Sequence, residues 1–149
     1  MKNKKIITII IAILGIILLG LCIYFGVKTS KIKKYTTADE YEVGGEKIES
    51  IKAVVGEKKI KSYKHEKTNI DTLKLHFVDS NKEETIKKYM DSLKDNGNYI
   101  EMTMDNKNKR QLASPSKELI TVATEITSDW FILTIEVGAG SIKINSQEE

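Results

Sequence analysis

Residues 6–27 read IITIIIAILGIILLGLCIYFGV, 22 residues without a charge or a proline. Coiled as an α-helix at about 1.5 Å per residue, the stretch reaches roughly 33 Å, enough to cross a hydrocarbon core of about 30 Å. Nine Ile, four Leu, Phe25 and Val27 at roughly −0.4 kcal/mol each give about −6 kcal/mol toward insertion, before the weakly unfavourable Gly, Thr and Tyr contributions. Tyr24 and Phe25 stand near the exit, where an amphipathic ring rests at headgroup level.

Three other readings of this stretch fare worse. A cleaved signal peptide has an apolar region of about 7–15 residues and an Ala-x-Ala-like site. Here the run is longer, and the pairs before a cut would be Tyr24/Gly26 or Lys28/Ser30. Leu19-Gly20-Leu21-Cys22 has the outline of a lipid-attachment site, but a large Leu21 stands where a small residue is needed, and apolar Ile23-Tyr24-Phe25 follows. Cys22 therefore reads as a small apolar residue within a membrane helix. A buried core helix is excluded by the length of the run and the lysines at both ends. Gly15, Gly20 and Gly26 are spaced five and six apart, so they make no small-xxx-small packing motif.

The charge distribution follows the same division. The chain carries 24 basic and 21 acidic residues in 149, a net charge of +3. Lys2, Lys4 and Lys5 precede the apolar run, and Lys28, Lys31, Lys33 and Lys34 follow it. Residues 35–149 hold 17 basic against 21 acidic side chains, a net of −4. The basic character belongs to the membrane flanks, which argues against nucleic-acid binding by the domain. Three lysines before the run against four after it leave the positive-inside count nearly tied. A short basic tip leading a long apolar run has the form of an uncleaved signal anchor. The expected topology is therefore N-terminus inside and domain outside, with Lys28–Lys34 snorkelling to phosphates.

After the run, residues 28–44 read as a polar juxtamembrane linker ending at Gly44-Gly45. Two strands are expected over 47–55 and 58–64, joined at Gly56. Ile70–Val78 alternates, with Leu73, Leu75 and Phe77 on one face and Thr72, Lys74 and His76 on the other. Ser80 and Glu83 have capping-box spacing before a helix over 82–95, whose apolar face holds Ile86, Tyr89, Met90 and Leu93. A strand over 99–104 puts Ile100, Met102 and Met104 on one face, and residues 105–118 read as a polar loop with the only proline, Pro115. Leu119–Thr127 has Ile120, Val122 and Ile126 inward. Phe131, Leu133, Ile135 and Val137 form the strongest alternating set, and the two should be a hairpin about Ser128-Asp129. Gly138-Ala139-Gly140 suggests a bend, with Ile142 and Ile144 continuing an edge. The expected class is α+β: a basic tail (1–5), a transmembrane helix (6–27), the linker (28–44), a β-β-β-α-β-β-β domain (45–145) with a mainly antiparallel sheet and one amphipathic helix, and a frayed tail (146–149).

No catalytic constellation is visible. Ser114/Lys117 and Ser30/Lys33 have Ser-x-x-Lys spacing without the companion motifs or a helix start. His65 and His76 have no neighbouring Cys or spaced His, so no zinc site is expected. Asp105-Asn106-Lys107-Asn108 opens like a calcium loop but lacks its Gly and terminal Glu. No metal or cofactor is expected. Two surfaces are candidates for binding. Lys58, Lys59, Lys61, Lys64 and Lys67 form a basic strip suited to anionic lipid or wall polymers, or to protecting an edge strand. Trp130 and Ile132, opposite in parity to Phe131, suggest a protein contact or a place covered by another segment. The expected function is a single-pass membrane protein whose non-catalytic domain binds or positions a partner in the cell envelope. The alternatives are an envelope enzyme whose site assembles only in the fold, or an immunity protein that intercepts a toxin.

Overall fold

An uninterrupted apolar run flanked by lysines has nothing to stop a helix before the first β-branched and acidic cluster. In the computed structural model, which describes residues 2–114 and 119–138 (backbone only at residues 2–5 and 8), α1 accordingly runs Lys2–Thr37. It extends ten residues past Val27, into the segment expected as linker. No Gly or Pro lies between Lys28 and Thr37 to end it, and the Thr29 hydroxyl donates back to the Phe25 carbonyl at 2.8 Å. The chain divides into two compact units, Met1–Lys34 and Tyr35–Glu149.

The second unit begins with the last turn of α1. Then come β1 (Glu40–Val43) and β2 (Glu46–Glu49), an antiparallel hairpin pairing Tyr41 with Ile48 and Val43 with Glu46. Gly44 and Gly45 fill its two-residue turn with φ of 58° and 83°, the positive pair that a tight hairpin of this twist demands. A short helix, α2 (Ile51–Val55), replaces the second half of the strand expected over 47–55. Its start is set by Ser50, whose hydroxyl accepts from the Ala53 N–H at 3.1 Å and donates to the Ala38 carbonyl at 2.6 Å. Gly56, at φ 88°, ends it.

The main sheet follows. β3 (Lys59–Lys67) and β4 (Ile70–Val78) form a hairpin; α3 (Lys82–Gly97) leads to β5 (Ile100–Met102), β6 (Lys109–Ser114), β7 (Leu119–Ile126) and β8 (Phe131–Gly138). The six strands lie in the order β3-β4-β8-β7-β6-β5, with every neighbouring pair antiparallel. This is an α+β fold with an N-terminal apolar helix. The β7–β8 hairpin forms as its alternation predicts, its turn closed by Thr127 and Trp130 over Ser128-Asp129. β6 was not expected: Lys109, Arg110 and Gln111 read as loop, yet Leu112 and Ala113 behind them are buried. Pro115–Lys117, the Gly138-Ala139-Gly140 bend beyond Gly138, the edge at Ile142 and Ile144 and the tail 146–149 lie outside the described residues.

One face of the sheet is the core. Leu73, Leu75 and Phe77 from β4, Ile120 and Val122 from β7, and Phe131, Leu133, Ile135 and Val137 from β8 are buried on it. Phe77 and Phe131 stack with centroids 5.0 Å apart. α3 lies over β6 and β7 through Ile86, Tyr89, Met90 and Leu93, while β1 lies over β4 and β8, and α2 packs on α3. The capping box expected from Ser80 and Glu83 does not form. Asp79 takes its place, accepting from the Asn81 N–H at 3.0 Å and the Thr85 hydroxyl at 2.5 Å. The Tyr89 hydroxyl donates to the Glu49 carbonyl at 2.8 Å, tying the helix to the hairpin. Ile100, Met102 and Met104 are exposed at the opposite edge from β3.

Gly44 is held by two demands, and they can be separated. A Cβ there would lie 2.7 Å from Val137 Cγ1, whereas a Cβ on Gly45 would meet nothing within 4 Å. We expect Gly45→Ala to cost about 1–2 kcal/mol from positive φ alone and Gly44→Ala about 2–4 kcal/mol, because overpacking is added. Urea unfolding of the full chain in an uncharged detergent, followed by Trp130 fluorescence, measures both. Equal losses would mean that β1 does not approach β8 this closely.

Candidate functional site

The first unit, residues 1–34, consists of most of α1. From Ile6 to Val27 its described large apolar side chains are 47–70% exposed, and among the described residues α1 is long and apolar enough to cross a membrane. Lys28, Lys31, Lys33 and Lys34 continue the helix; Lys2, Lys4 and Lys5 share its backbone, and their side chains lie outside the described residues. Cys22 is exposed on its surface.

The five lysines of the expected strip are not one face. Lys58 precedes β3 and pairs with the nearly buried Asp79 at 2.9 Å. A bulge between Ile60 and Ser62 inserts Lys61 as an extra residue and reverses the parity of everything after it. Ile60 faces Phe77 on the core side, and after the bulge Tyr63 and His65 take that side, opposite Leu75 and Leu73. Ser62 and Lys64 turn outward, opposite His76 and Lys74; Lys64 pairs with Glu66 at 2.7 Å, and Lys67 lies opposite Asp71. Lysines along an edge strand discourage pairing with another sheet.

Trp130 and Ile132 are half-buried on the outer face. The Lys61 ammonium sits 4.1 Å from the Trp130 ring centroid, and His76 lies 6.5 Å from it on the same face. A cation over an indole is worth about 0.5–1 kcal/mol at an exposed site. Lys61 thus covers much of the aromatic surface that sequence parity alone would leave open.

The bulge also assembles a cluster that sequence reasoning missed. His65 Nε2 lies 2.6 Å from Asp71 Oδ1, and its Nδ1 lies 3.2 Å from the Tyr35 hydroxyl. With Asp71 ionised, Nε2–H donates to it and neutral Nδ1 accepts the phenol. The second Asp71 oxygen accepts from the Gly44 N–H at 2.9 Å. Tyr35 also packs against Tyr63 and Tyr41, at 5.4 and 6.5 Å between centroids. Burial pushes the Asp71 carboxyl up, but the Gly44 and His65 hydrogen bonds and the nearby Lys67 charge outweigh it and hold the pKa below the ordinary value. Burial, Tyr63 and Asp71 all raise the Tyr35 pKa, so its phenol stays protonated.

No protein-family model, curated protein or solved structure matches the chain. Its function must therefore be read from its own chemistry. A hydroxyl, an imidazole and a carboxylate in line have the parts of a nucleophilic relay. The same hydrogen bonds also clamp the structure, joining Tyr35 to β3 through His65 and to the Gly44 turn through the Asp71 carboxylate. Among the described residues no three potential metal ligands come together. The signal for this clamp was present in the alternation of Tyr63 and His65, but it becomes readable only once the bulge is known.

The clamp predicts an acid dependence with a definite sign. A carboxyl whose folded pKa is lowered stabilises the fold fully above its unfolded value, near 3.9, and loses that contribution as pH falls through the folded value. We expect Asp71→Asn to cost about 1.5–3 kcal/mol at pH 7 and progressively less below about pH 4, measured by urea unfolding at a series of pH values. A constant deficit from pH 7 to pH 3 would mean that the Asp71 charge is not what holds the cluster.

Proposed function

We propose that this chain is a single-pass membrane protein that presents its α+β domain on the outer side of the cell membrane, where the domain binds or positions an envelope partner without catalysing a reaction. The observation that carries this reading is α1: a 36-residue helix whose described large apolar residues from Ile6 to Val27 are exposed and whose charged residues lie at its two ends. Water disfavours that surface by about 25 cal/mol per Å², and a bilayer removes the penalty at the length available. The lysine distribution supports it, since the flanks are basic and the domain is net acidic.

An envelope enzyme is the rival reading, and the Tyr35–His65–Asp71 line is the observation in its favour. Against it stands the raised phenol pKa, which keeps Tyr35 in its less nucleophilic, protonated form.

Topology tests the proposal. Asn69, exposed in the β3–β4 turn, is changed to Cys in a Cys22→Ser background, and intact cells are treated with a membrane-impermeant maleimide. We expect labelling in intact cells, and a chain that stays with membranes through alkaline carbonate and is released by detergent. Labelling only after lysis would place the domain in the cytoplasm, and release by carbonate would remove the membrane span itself.

A further inference from the structure

On β7 the inward-facing positions run Ile120, Val122, Thr124 and Ile126. Thr124 breaks an otherwise apolar row, yet it is only 2% exposed. A buried hydroxyl left without a partner costs about 1–3 kcal/mol, so such a residue calls for a reason. Among the described residues the Thr124 hydroxyl makes no hydrogen bond. It is not sealed off either, because no described side-chain oxygen or nitrogen is both fully enclosed and unpartnered. Thr124 is among the residues that line a cavity of about 250 Å³ between α3 and the β6–β7 end of the sheet.

The walls of that cavity have a definite chemistry. Ile86 and Ile126 give it an apolar side, and Lys87, Lys107 and Arg110 supply three cations against one carboxylate, Glu83. Lys87 and Lys107 make no ion pair among the described residues. Arg110, the single arginine of the chain, is held by Glu101 at 2.9 Å and Asp91 at 3.5 Å, both through Nη2, with Nε also donating to Glu101. Glu101 and Asp91 balance the guanidinium, so the uncompensated positive charge at the rim is that of Lys87 and Lys107 beside Glu83, while the guanidinium and the buried hydroxyl add donors. Pockets for drug-sized molecules run about 300–1,000 Å³, so this one suits a smaller occupant.

We propose that the cavity floored by Thr124 and rimmed by Lys87, Lys107 and Arg110 is a binding site for a small phosphate group. The phosphate is either free inorganic phosphate or the phosphodiester of a lipid headgroup or wall polymer; the donor chemistry is shared. Thr124 donates its hydroxyl to a phosphate oxygen, the two lysines neutralise the charge, and Arg110 orients it. The site lies in the domain and does not depend on how the first unit meets a membrane.

The test uses the full chain in an uncharged detergent at constant ionic strength. Inorganic phosphate and soluble glycerophosphoglycerol, a headgroup without its acyl chains, are titrated separately by calorimetry. We expect saturable binding of at least one probe, and the tighter of the two identifies the source. Thr124→Val should weaken it about tenfold, the loss of one charge-assisted hydrogen bond, while raising the melting temperature of the unliganded protein. The Lys87→Gln, Lys107→Gln double variant should abolish it, and Lys64→Gln on the outer face of β3 should leave it unchanged. Absence of saturable binding by both probes would overturn the proposal. So would an equal loss in Lys64→Gln, which would mark general attraction to positive charge, or unaltered affinity in Thr124→Val.

Discussion

The domain is organised by the problem of covering one face of a six-stranded sheet. Strands about 4.8 Å apart make that face about 24 Å wide, and a helix covers about 10–12 Å of it. α3 alone therefore leaves half the apolar surface wet. The β1–β2 hairpin and α2 supply the rest: α3 lies over β6 and β7, and β1 over β4 and β8. Tyr41, Val43, Ile48 and Ile51 are buried as a result. Gly44 lets the hairpin turn sit against Val137, and the Asp71 carboxylate holds it there through the Gly44 N–H. The clamp at His65 is thus a consequence of how the second half of the layer is attached.

That constraint explains what could be read in the sequence. β4, β7 and β8 lie inside the sheet with one face dry and the other half-exposed, so period-two patterning is imposed on all three. α3 packs one side against the sheet, so its apolar residues recur at helical spacing. The α+β class and the β7–β8 hairpin follow from these four segments.

The elements that escaped are those whose order comes from elsewhere. β1 alternates Glu40, Tyr41, Glu42 and Val43, but four residues are too few to distinguish from an acidic linker. In α2 the β-branched Val54 and Val55 suggested a strand, and the decisive residues were Ser50 and Gly56 at its ends. β6 is held between β5 and β7 by backbone pairing, which shows no side-chain signature at Lys109–Gln111. The bulge at Lys61 is the most consequential, because it splits a run of lysines that looks continuous in the sequence between the two faces of the sheet. Tyr35 was unreadable as a partner of His65, standing 30 residues away in a segment that looked like linker.

Net charge also averages over the domain. Residues 35–149 are net acidic, which argues against a broad basic face but says nothing about a cavity. Lys87 comes from α3, Lys107 from the turn before β6 and Arg110 from β6, so the positive group around Thr124 is made from segments brought together only by the crossing of α3 over the sheet. One clue was local: on β7, Thr124 occupies an inward position between Val122 and Ile126. A polar residue in an apolar row signals either a hydrogen-bonded core or an opening to solvent. Here the hydroxyl has no partner among the described residues and is not fully enclosed, so the opening is the physical reason that the row can carry it.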